Sequence, residues 1–332
     1  MTKLQTMKAL LCEELGLPET LSIKEVERPK AGKGQVLIKV AFCAVNFPDT
    51  LIIEGLYQFK PPMPFAPGAE ISGVIEDVGE GVERFSKGDR VVAGITWGGM
   101  AEYAVAEADF TFHLPRRVSD VVGAATLMTF GTSLHALVDR AQLKYSDTLL
   151  VLGASGGVGT SAIQIGKALG ATVIAAASSQ EKLEWCKEQG ADIVLNYETE
   201  ADLKNKLKEL TEGRGVDVIY DPVGGKFSEP AFRAIARGGR HLVVGFTNGD
   251  IPKIPFNLPL LKSASIVGVF WGSFIRNEPE NNRNNVKLLF KLIEKGKLNP
   301  SVSKVYSLEE ATQALTDMKM RSVLGKIVIK IS

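Results

Sequence analysis

The stretch that decides the fold is Leu149-Leu-Val-Leu-Gly-Ala-Ser-Gly-Gly-Val-Gly159, a short apolar run followed by a glycine turn. It matches the spacing G-x-G-x-x-G, with Ala154, Gly156 and Gly159 at the three glycine places. In this pattern the turn leaves the strand sharply, the second place brings the backbone close to a pyrophosphate, and the third lets the next helix pack tightly. N–H groups at the helix start and the helix dipole favour the phosphate charge. The stretch therefore predicts a dinucleotide site, the alternative being a tight turn that binds nothing. The contacts expected in the turn are Ser155, Gly156, Gly157 and Val158.

Strands and helices alternate from this stretch to about residue 270. Apolar strands alternating with amphipathic helices give a parallel sheet covered on both faces. The strands are predicted at residues 148–152, 172–176, 193–195, 217–220, 241–244 and 266–270. The helices between them are predicted to start near Gly157, Gln180, Glu200 and Ser228. Six strands in this alternation predict an α/β fold with a doubly wound parallel sheet, the Rossmann arrangement.

The region before it, from about residue 21 to residue 110, has short β-rich runs separated by Gly, Pro and Asp, which predict a mostly antiparallel β region. Its main runs are residues 35–40, 71–75 and 90–94. A helix is predicted at 285–295, and an apolar strand at 326–330 alternates like the N-terminal region. We expect this strand to rejoin that region. Residues 1–126 and 273–332 would then form a discontinuous catalytic domain, and residues 127–272 the nucleotide-binding domain.

Length and composition exclude several classes of protein. A chain of 332 residues exceeds the usual size of one hydrophobic core, so two domains are expected. The 39 basic and 38 acidic residues leave a formal net charge of +1, which argues against a nucleic-acid or anionic-membrane partner. Residues 1–11 show no signal-peptide pattern and no run of about 18 apolar residues follows, so no membrane span is expected. Three scattered cysteines without a C-x-x-C pair fit the reducing cytoplasm.

The end of the second predicted strand indicates which cofactor the site would take. An acidic residue about 20 residues after the glycine turn would bind the ribose 2′-hydroxyl of NAD. The sequence there is Ala176-Ala-Ser-Ser-Gln-Glu-Lys182, and Glu181 falls in the start of the next helix. The Ser178 hydroxyl and the Lys182 ammonium could instead bind a 2′-phosphate. These residues favour NADPH over NADH, unless Lys182 is a solvated helix lysine.

The block Asp147-Thr-Leu-Leu-Val-Leu-Gly-Ala-Ser-Gly-Gly-Val-Gly-Thr-Ser-Ala-Ile-Gln-Ile-Gly-Lys167 resembles the signature of the quinone oxidoreductase and zeta-crystallin branch of the medium-chain dehydrogenase/reductases. Further stretches agree in order and spacing: Val45-Asn-Phe-Pro-Asp49, Pro67-Gly-Ala-Glu70, Gly73-Val-Ile-Glu-Asp-Val-Gly79, Lys87-Gly-Asp-Arg90 and Tyr220-Asp-Pro-Val-Gly-Gly225. The resemblance covers essentially the whole chain. It implies that the β-rich part is a chaperonin-10-like catalytic domain and that the substrate cleft lies between the two domains. It also implies a homodimer that pairs edge strands, for which the apolar residues 266–271 are a candidate.

The resemblance also indicates chemistry without a metal. Zinc-dependent relatives have a cysteine in the segment equivalent to residues 45–49 and a histidine in a Gly-His-Glu triplet, where this chain has Asn46 and Ala69. The four cysteines of a second zinc site are missing too, since no cysteine lies between Cys43 and Cys186. No metal ligand is therefore expected. Without a Lewis acid, the expected reaction is hydride transfer to an acceptor that already stabilises negative charge, a quinone or an enone.

Two alternatives stay open. Within the same reaction class, the acceptor could be an acryloyl or other enoyl thioester, or a substituted acrylate, reduced at the β-carbon. In a different class, zeta-crystallin relatives serve as lens structural proteins and some bind RNA. An NADPH-binding structural or RNA-binding protein is therefore the other hypothesis, although the net charge near zero and the lack of an interleaved basic and aromatic motif argue against RNA.

The resemblance assigns catalytic residues position by position. Asn46 and Asp49 would lie near the nicotinamide and the substrate. Many relatives have a tyrosine where this chain has Phe47, so the phenol that could orient or protonate the substrate is absent there. Tyr57 is the candidate replacement, either contacting the substrate or packing in its own loop.

The resemblance assigns cofactor contacts in the same way. The residues expected around the 2′-phosphate are Ser178, Lys182 and Tyr197. The remaining expected contacts are Asn46, Thr132, Phe246, Phe270, Trp271, Gly272 and Arg321.

Overall fold

The computed structural model describes residues 5–332. Residues 1–4 lie outside the described part. They begin the predicted catalytic domain and the N-terminal stretch that shows no signal-peptide pattern. The strands are β1 (Thr6–Leu11), β2 (Ser22–Glu27), β3 (Gln35–Val45), β4 (Glu70–Val78), β5 (Arg90–Gly94), β6 (Tyr103–Glu107), β7 (Thr111–His113), β8 (Thr148–Leu152), β9 (Thr172–Ala177), β10 (Ile193–Asn196), β11 (Val216–Asp221), β12 (Ile235–Val243), β13 (Ser265–Gly268), β14 (Val302–Ser307) and β15 (Lys326–Lys330). The helices are α1 (Phe47–Ile53), α2 (Asp120–Ala124), α3 (Leu127–Leu134), α4 (Gly157–Ala168), α5 (Gln180–Glu188), α6 (Leu203–Leu210), α7 (Ser228–Arg233), α8 (Asn257–Lys262), α9 (Trp271–Asn277), α10 (Pro279–Glu294) and α11 (Ala311–Lys319). Over this range no helix has both the length and the apolar character needed to cross a membrane.

The glycine stretch lies in a six-stranded parallel sheet with the strand order β10-β9-β8-β11-β12-β13. Successive residues of β8 pack on opposite faces of the sheet, Leu149 in one core cluster and Leu150 in another. All of β8 is buried, as expected of a parallel strand covered on both faces. In chain order the arrangement is 3-2-1-4-5-6, that of a doubly wound dinucleotide fold. The predicted fold class is confirmed.

Some predicted bounds in this sheet differ from the structure. β12 begins at Ile235, well before the predicted start at residue 241, because the strand continues through a register irregularity where the sequence Ala236-Arg-Gly-Gly-Arg240 reads as a turn. α6 begins at Leu203 rather than near Glu200, because the Asp202 side chain caps it by accepting from Asn205 N at 3.0 Å. β13 ends at Gly268, so residues 269–270 lie outside the strand predicted at 266–270.

The β-rich part forms a seven-stranded sheet with the order β14-β15-β3-β4-β5-β7, in which β6 also pairs with β3. β15 pairs antiparallel with β3, with Ile327 opposite Val45, so the last strand of the chain lies beside the strand that leads into α1. A separate two-stranded sheet consists of β1 and β2. The core of the β-rich part includes Ile38, Ile53 and Ile71, all fully buried.

Internal contacts separate two units. The first unit comprises residues up to Met128 together with Pro300–Ser332, and the second unit comprises Thr129–Asn299. The second boundary lies beyond the predicted division at 272/273. The reason is packing: Leu289 of α10 and the following Leu298 belong to the same core cluster as Leu149 of β8.

Candidate active site

The glycine turn after β8 begins with a residue in the left-handed region. Gly153 has φ +57°, which L side chains rarely adopt, so the sharp exit from the strand depends on this glycine. Ala154, at the first glycine place of the motif, is buried and donates its N–H to the Ala176 carbonyl oxygen at 3.0 Å. The turn is therefore made one residue earlier than the motif spacing predicts.

Gly159 and Gly156 differ in what the fold requires of them. A Cβ on Gly159 would lie 2.4 Å from the Gly153 carbonyl oxygen and 2.6 Å from Ala154 Cα, so close packing of α4 on the turn requires glycine. A Cβ on Gly156 would meet no atom of residues 5–332 nearer than 3.5 Å, and its φ of −78° suits any residue. Packing within the protein does not demand glycine at 156. This fits a position that a ligand approaches closely.

The start of α4 has the chemistry of an anion site. The first N–H groups of a helix, here those of Gly157 and Val158, have no carbonyl partner inside the helix. They lie at the positive end of the helix dipole, and no acidic residue occupies the first turn. Ser155, just before them, is buried. The predicted turn residues therefore fit the pyrophosphate of a dinucleotide.

Ser178 and Tyr197 directly follow β9 and β10, which are adjacent parallel strands, and Lys182 lies in the first turn of α5. Lys182 Nζ donates to Ser178 Oγ at 3.3 Å, and the Tyr197 ring packs on Phe227 with ring centroids 4.3 Å apart. Glu181 lies in the first turn of α5, as the sequence predicts. A hydroxyl and an ammonium without a strand-end carboxylate are suited to a 2′-phosphate.

Asp221, at the end of β11, holds the turn that packs on Phe246. Its Oδ1 accepts from Gly224 N at 2.8 Å, and its Oδ2 contacts Ser228 Oγ at 2.5 Å and His241 Nε2 at 3.1 Å. Burial by itself raises the pKa of Asp221, but the His241 ring and these hydrogen bonds hold it below its ordinary value. A Cβ on Gly224 would lie 2.9 Å from the Phe246 ring. The carboxylate therefore supports the position of a predicted cofactor contact.

Thr132 and the 270–272 segment come close together in the second unit. A Cβ on Gly131, beside Thr132 in α3, would lie 3.0 Å from the Trp271 indole. Trp271 begins α9, and Phe270 before it is exposed. Gly272 packs next to the Phe270 ring. The structure thus places the neighbour of Thr132 against Trp271.

In the first unit, Asn46 and Asp49 form a buried polar pair at the start of α1. The Asp49 carboxylate accepts from Asn46 N at 2.7 Å and from Gly68 N at 3.2 Å. Asparagine before a helix and aspartate in its first turn are a common arrangement at a helix start. Burial raises the pKa of Asp49 to about 7, although these hydrogen bonds and the nearby Lys326 charge oppose the rise.

Lys326 and Glu70 complete this polar cluster. Lys326 Nζ lies 2.6 Å from Asn46 Oδ1 and 3.2 Å from Glu70 Oε2. Glu70 Oε2 also accepts from Asn46 Nδ2 at 3.2 Å, and its Oε1 accepts from Met128 N at 2.9 Å. Every side chain in the cluster is buried.

Tyr57 and Arg321 also belong to the first unit. Tyr57 is partly buried against the core cluster, with its ring centroid 5.8 Å from that of Phe59. Arg321 is exposed in the turn after α11, with φ +56°.

Sequence reasoning missed Lys326, Glu70 and Asp221 as site residues. Glu70 and Asp221 stand inside motifs that mark the family, so their positions offered a signal. Lys326 offered none, because a lysine at the start of an apolar strand is expected to be exposed. It is buried only because β15 pairs with β3 and places it beside Asn46.

The polar cluster lacks the ligand set of a metal site. Within residues 5–332, no three His, Cys, Asp or Glu side chains lie close enough together to hold an ion. Asn46, at a position where zinc-dependent relatives have cysteine, binds the Lys326 ammonium. The three cysteines are buried thiols, each unpaired by a disulfide.

Comparisons with known proteins agree with both parts of the fold. Residues 32–116 match the model of the alcohol dehydrogenase GroES-like domain, and residues 157–291 match that of the zinc-binding dehydrogenases. A quinone oxidoreductase-like protein 2 homolog of Nematostella vectensis is 36% identical, over 98% of this chain and 89% of that protein. The quinone oxidoreductase of Rattus norvegicus is also 36% identical, over 97% of each. A mycobacterial protein solved in complex with NADPH superposes with a TM-score of 0.92 at 31% identity, covering 98% of this chain and 100% of that one. The chain belongs to the quinone oxidoreductase family of the medium-chain dehydrogenase/reductases, as its motifs predict.

Proposed function

We propose that this oxidoreductase transfers a hydride from NADPH to quinones or to enones, without zinc. The observation that carries the cofactor is the Lys182 ammonium on the Ser178 hydroxyl, where an NAD enzyme would have a carboxylate. The relatives named quinone oxidoreductase and the NADPH complex of a similar protein support the same conclusion. Enoyl thioesters and substituted acrylates are the alternative acceptors.

The reaction balances with one proton from solvent. When bound, NADPH would supply a hydride to the acceptor, whose conjugated oxygen would then carry the electron pair. The oxygen then takes a proton, so NADPH, H⁺ and a quinone give NADP⁺ and a hydroquinone. In this proposal the turn at 155–158 would bind the phosphates of NADPH, and Asn46 and Asp49 would contact the acceptor and stabilise its developing charge.

Zinc independence rests on the residues of the first unit. Asn46 and Ala69 cannot replace a thiolate and an imidazole as zinc ligands. The Lys326 ammonium already binds the Asn46 and Glu70 side chains, so a second cation there would meet its repulsion. Metal analysis of the purified, active protein tests this: one zinc per chain would contradict it.

Turnover decides between the enzymatic and structural hypotheses. We expect NADPH consumption with 9,10-phenanthrenequinone and with an enone, compared with an acrylate and an enoyl thioester. Preference for the thioester would establish the alternative acceptor. Tight NADPH binding without turnover of any acceptor would favour the structural role.

The cofactor assignment is tested at Lys182. In Lys182→Ala we expect NADPH affinity to fall roughly 10- to 100-fold, the usual effect of losing one charged hydrogen bond, while NADH affinity stays the same. Lys187→Ala is the matched control, since Lys187 is an exposed lysine of the same helix. Equal NADPH affinities of Lys182→Ala and wild type would show that the 2′-phosphate binds elsewhere.

The proposed enzyme is a cytoplasmic homodimer that pairs β13 of two chains. β13 is the edge strand of the six-stranded sheet and pairs only with β12 in the described structure. Exposed apolar residues lie just before it: Phe256 is 92%, Leu260 77% and Leu261 72% exposed. An apolar edge of this kind is suited to pairing with a second copy. The buried thiols fit a reducing compartment.

A further inference from the structure

The first unit contains a buried cation whose three donors are all used. Lys326 is 3% exposed. Its Nζ donates to Asn46 Oδ1 at 2.6 Å, to Glu70 Oε2 at 3.2 Å and to the Val45 carbonyl oxygen at 3.4 Å. An ammonium has three N–H bonds and no acceptor, so these three oxygens satisfy it. The site is therefore built for a charged lysine.

Stability alone is a weak reason for such a pair. Glu70 is 0% exposed, so both charges have lost their water, and apolar replacements of buried ion pairs are often neutral or stabilising. The two charges share one neighbour, the Asn46 carboxamide.

The pair fixes the orientation of the Asn46 carboxamide. Its Oδ1 accepts from the Lys326 ammonium and its Nδ2 donates to the Glu70 carboxylate. A flipped amide would face Nδ2 to the ammonium and Oδ1 to the carboxylate, which are two repulsive contacts. The ammonium also withdraws electron density through Oδ1, which strengthens the Nδ2–H donors. One of these hydrogens binds Glu70, and residues 5–332 provide no second acceptor.

We propose that Lys326 is a positioning residue, whose ammonium orients and polarises Asn46 so that its second Nδ2–H binds the acceptor oxygen on which negative charge develops. The inference rests on the proposed function, in which hydride addition moves an electron pair onto that oxygen and solvent water supplies the proton. A donor already oriented in a water-poor site stabilises an oxyanion without reorganising. Asn46 touches the substrate, and Lys326 acts through it.

The two acceptor types differ in how much they need this donor. Reduction of an enone gives an enolate, whose charge lies mostly on one oxygen. Reduction of 9,10-phenanthrenequinone gives an aromatic hydroquinone anion, which is stabilised by the acceptor itself. Loss of the ammonium should therefore slow enone reduction more than quinone reduction, whereas general damage to the fold would slow both alike.

The variants remove the Lys326 charge in two backgrounds, so that loss of the charge can be distinguished from misfolding. Lys326→Met retains length but leaves the Glu70 charge buried and unpaired, which can prevent folding. The same change is therefore also made in a Glu70→Gln background and compared with Glu70→Gln alone. Lys24→Met is the control, because Lys24 forms an exposed pair with Glu13 at 2.5 Å in the same unit.

In Lys326→Met we expect kcat with the enone to fall roughly 10- to 100-fold. This loss is smaller than the roughly 100- to 1,000-fold loss seen when an oxyanion donor itself is removed. With the quinone we expect at most about a threefold loss. In an Asn46→Ala background, Lys326→Met should add at most about another threefold, because Lys326 acts through the amide already removed. Lys24→Met should match wild type with both acceptors.

Equal losses of kcat with the enone and the quinone would overturn the role of Lys326. So would a loss of roughly 10- to 100-fold caused by Lys326→Met in the Asn46→Ala background. Those results leave the proposed function intact, since the wild-type enzyme still turns over. If the wild-type enzyme reduces neither acceptor, the proposed function is wrong and the role of Lys326 fails with it.

Discussion

At the scale of single residues, Asp49 is subject to opposing effects. Burial favours its neutral form, whereas the N–H groups of Asn46 and Gly68 and the charge of Lys326 favour the carboxylate. The net result is a pKa of about 7, instead of 3.8. Asp49 therefore changes charge near neutral pH, within the buried cluster that also holds Asn46.

The raised pKa makes stability depend on pH in an unusual direction. Between pH 3.8 and about 7 the folded chain holds a proton on Asp49 that the unfolded chain has lost, so stability falls as the pH rises through this window. At about 1.36 kcal/mol per pH unit, the whole effect is roughly 4 kcal/mol. We expect Asp49→Asn to lack this slope, measured as the free energy of urea unfolding at several pH values.

Asp77→Asn is the matched control, since Asp77 is an exposed aspartate of the same unit. Its unfolding free energy should follow that of the wild-type protein at every pH. Parallel curves for Asp49→Asn and wild type would show that Asp49 titrates at an ordinary pKa.

At the scale of elements, the β8–α4 connection contains two glycines that the fold requires and one that only a bound ligand would require. Gly153 supplies the left-handed turn, and Gly159 supplies close contact between helix and turn. Gly156 has an ordinary φ and room for a Cβ. A single motif therefore combines two glycines that the fold requires, Gly153 and Gly159, with Gly156, where the fold would tolerate a side chain.

Two alanine variants should separate these roles. Gly159→Ala forces a Cβ toward the Gly153 carbonyl oxygen, so we expect a loss of roughly 1–3 kcal/mol of stability, as for other overpacked sites. Gly156→Ala should unfold at nearly the wild-type temperature but bind NADPH roughly tenfold or more weakly, because the methyl group occupies the space of the pyrophosphate. Thermal unfolding and NADPH fluorescence titration measure the two effects. A similar loss of stability in both variants would contradict the distinction.

At the scale of the whole molecule, each unit has its own buried core and its own polar site. The second unit places the predicted cofactor residues of the turn and of β9 and β10 on one sheet. The first unit buries the Lys326, Glu70, Asn46 and Asp49 cluster. The proposed dimer involves only the second unit, through β13 and the residues of α8 before it.

The dimer proposal predicts a mass twice that of the chain in sedimentation. In Leu260→Glu/Leu261→Glu, two exposed apolar residues that shortly precede the edge strand in the sequence become charged, so we expect monomers that still bind NADPH. Leu15→Glu, which changes an exposed leucine of the first unit, should remain a dimer. A Leu260→Glu/Leu261→Glu variant that stays dimeric would place the interface elsewhere.

Local pattern was enough for much of this protein. The strand, turn and helix at 149–159 specify their own geometry, because buried parallel strands are continuously apolar and tight turns need glycine. Ser178 and Lys182 likewise follow from their positions just after β9, at the strand end and in the first turn of the next helix. The sequence thus determined the fold class, the family and the candidate cofactor residues of the second unit.

Tertiary structure decided what depends on distant pairing. α10 belongs to the second unit because its apolar side chains pack in the core of that unit. Lys326 entered the polar cluster because β15 pairs with β3, 281 residues away at Val45. No local signal reveals either outcome. Which core an apolar helix face joins, and whether a lysine is buried, both depend on partners that only the folded chain brings into contact.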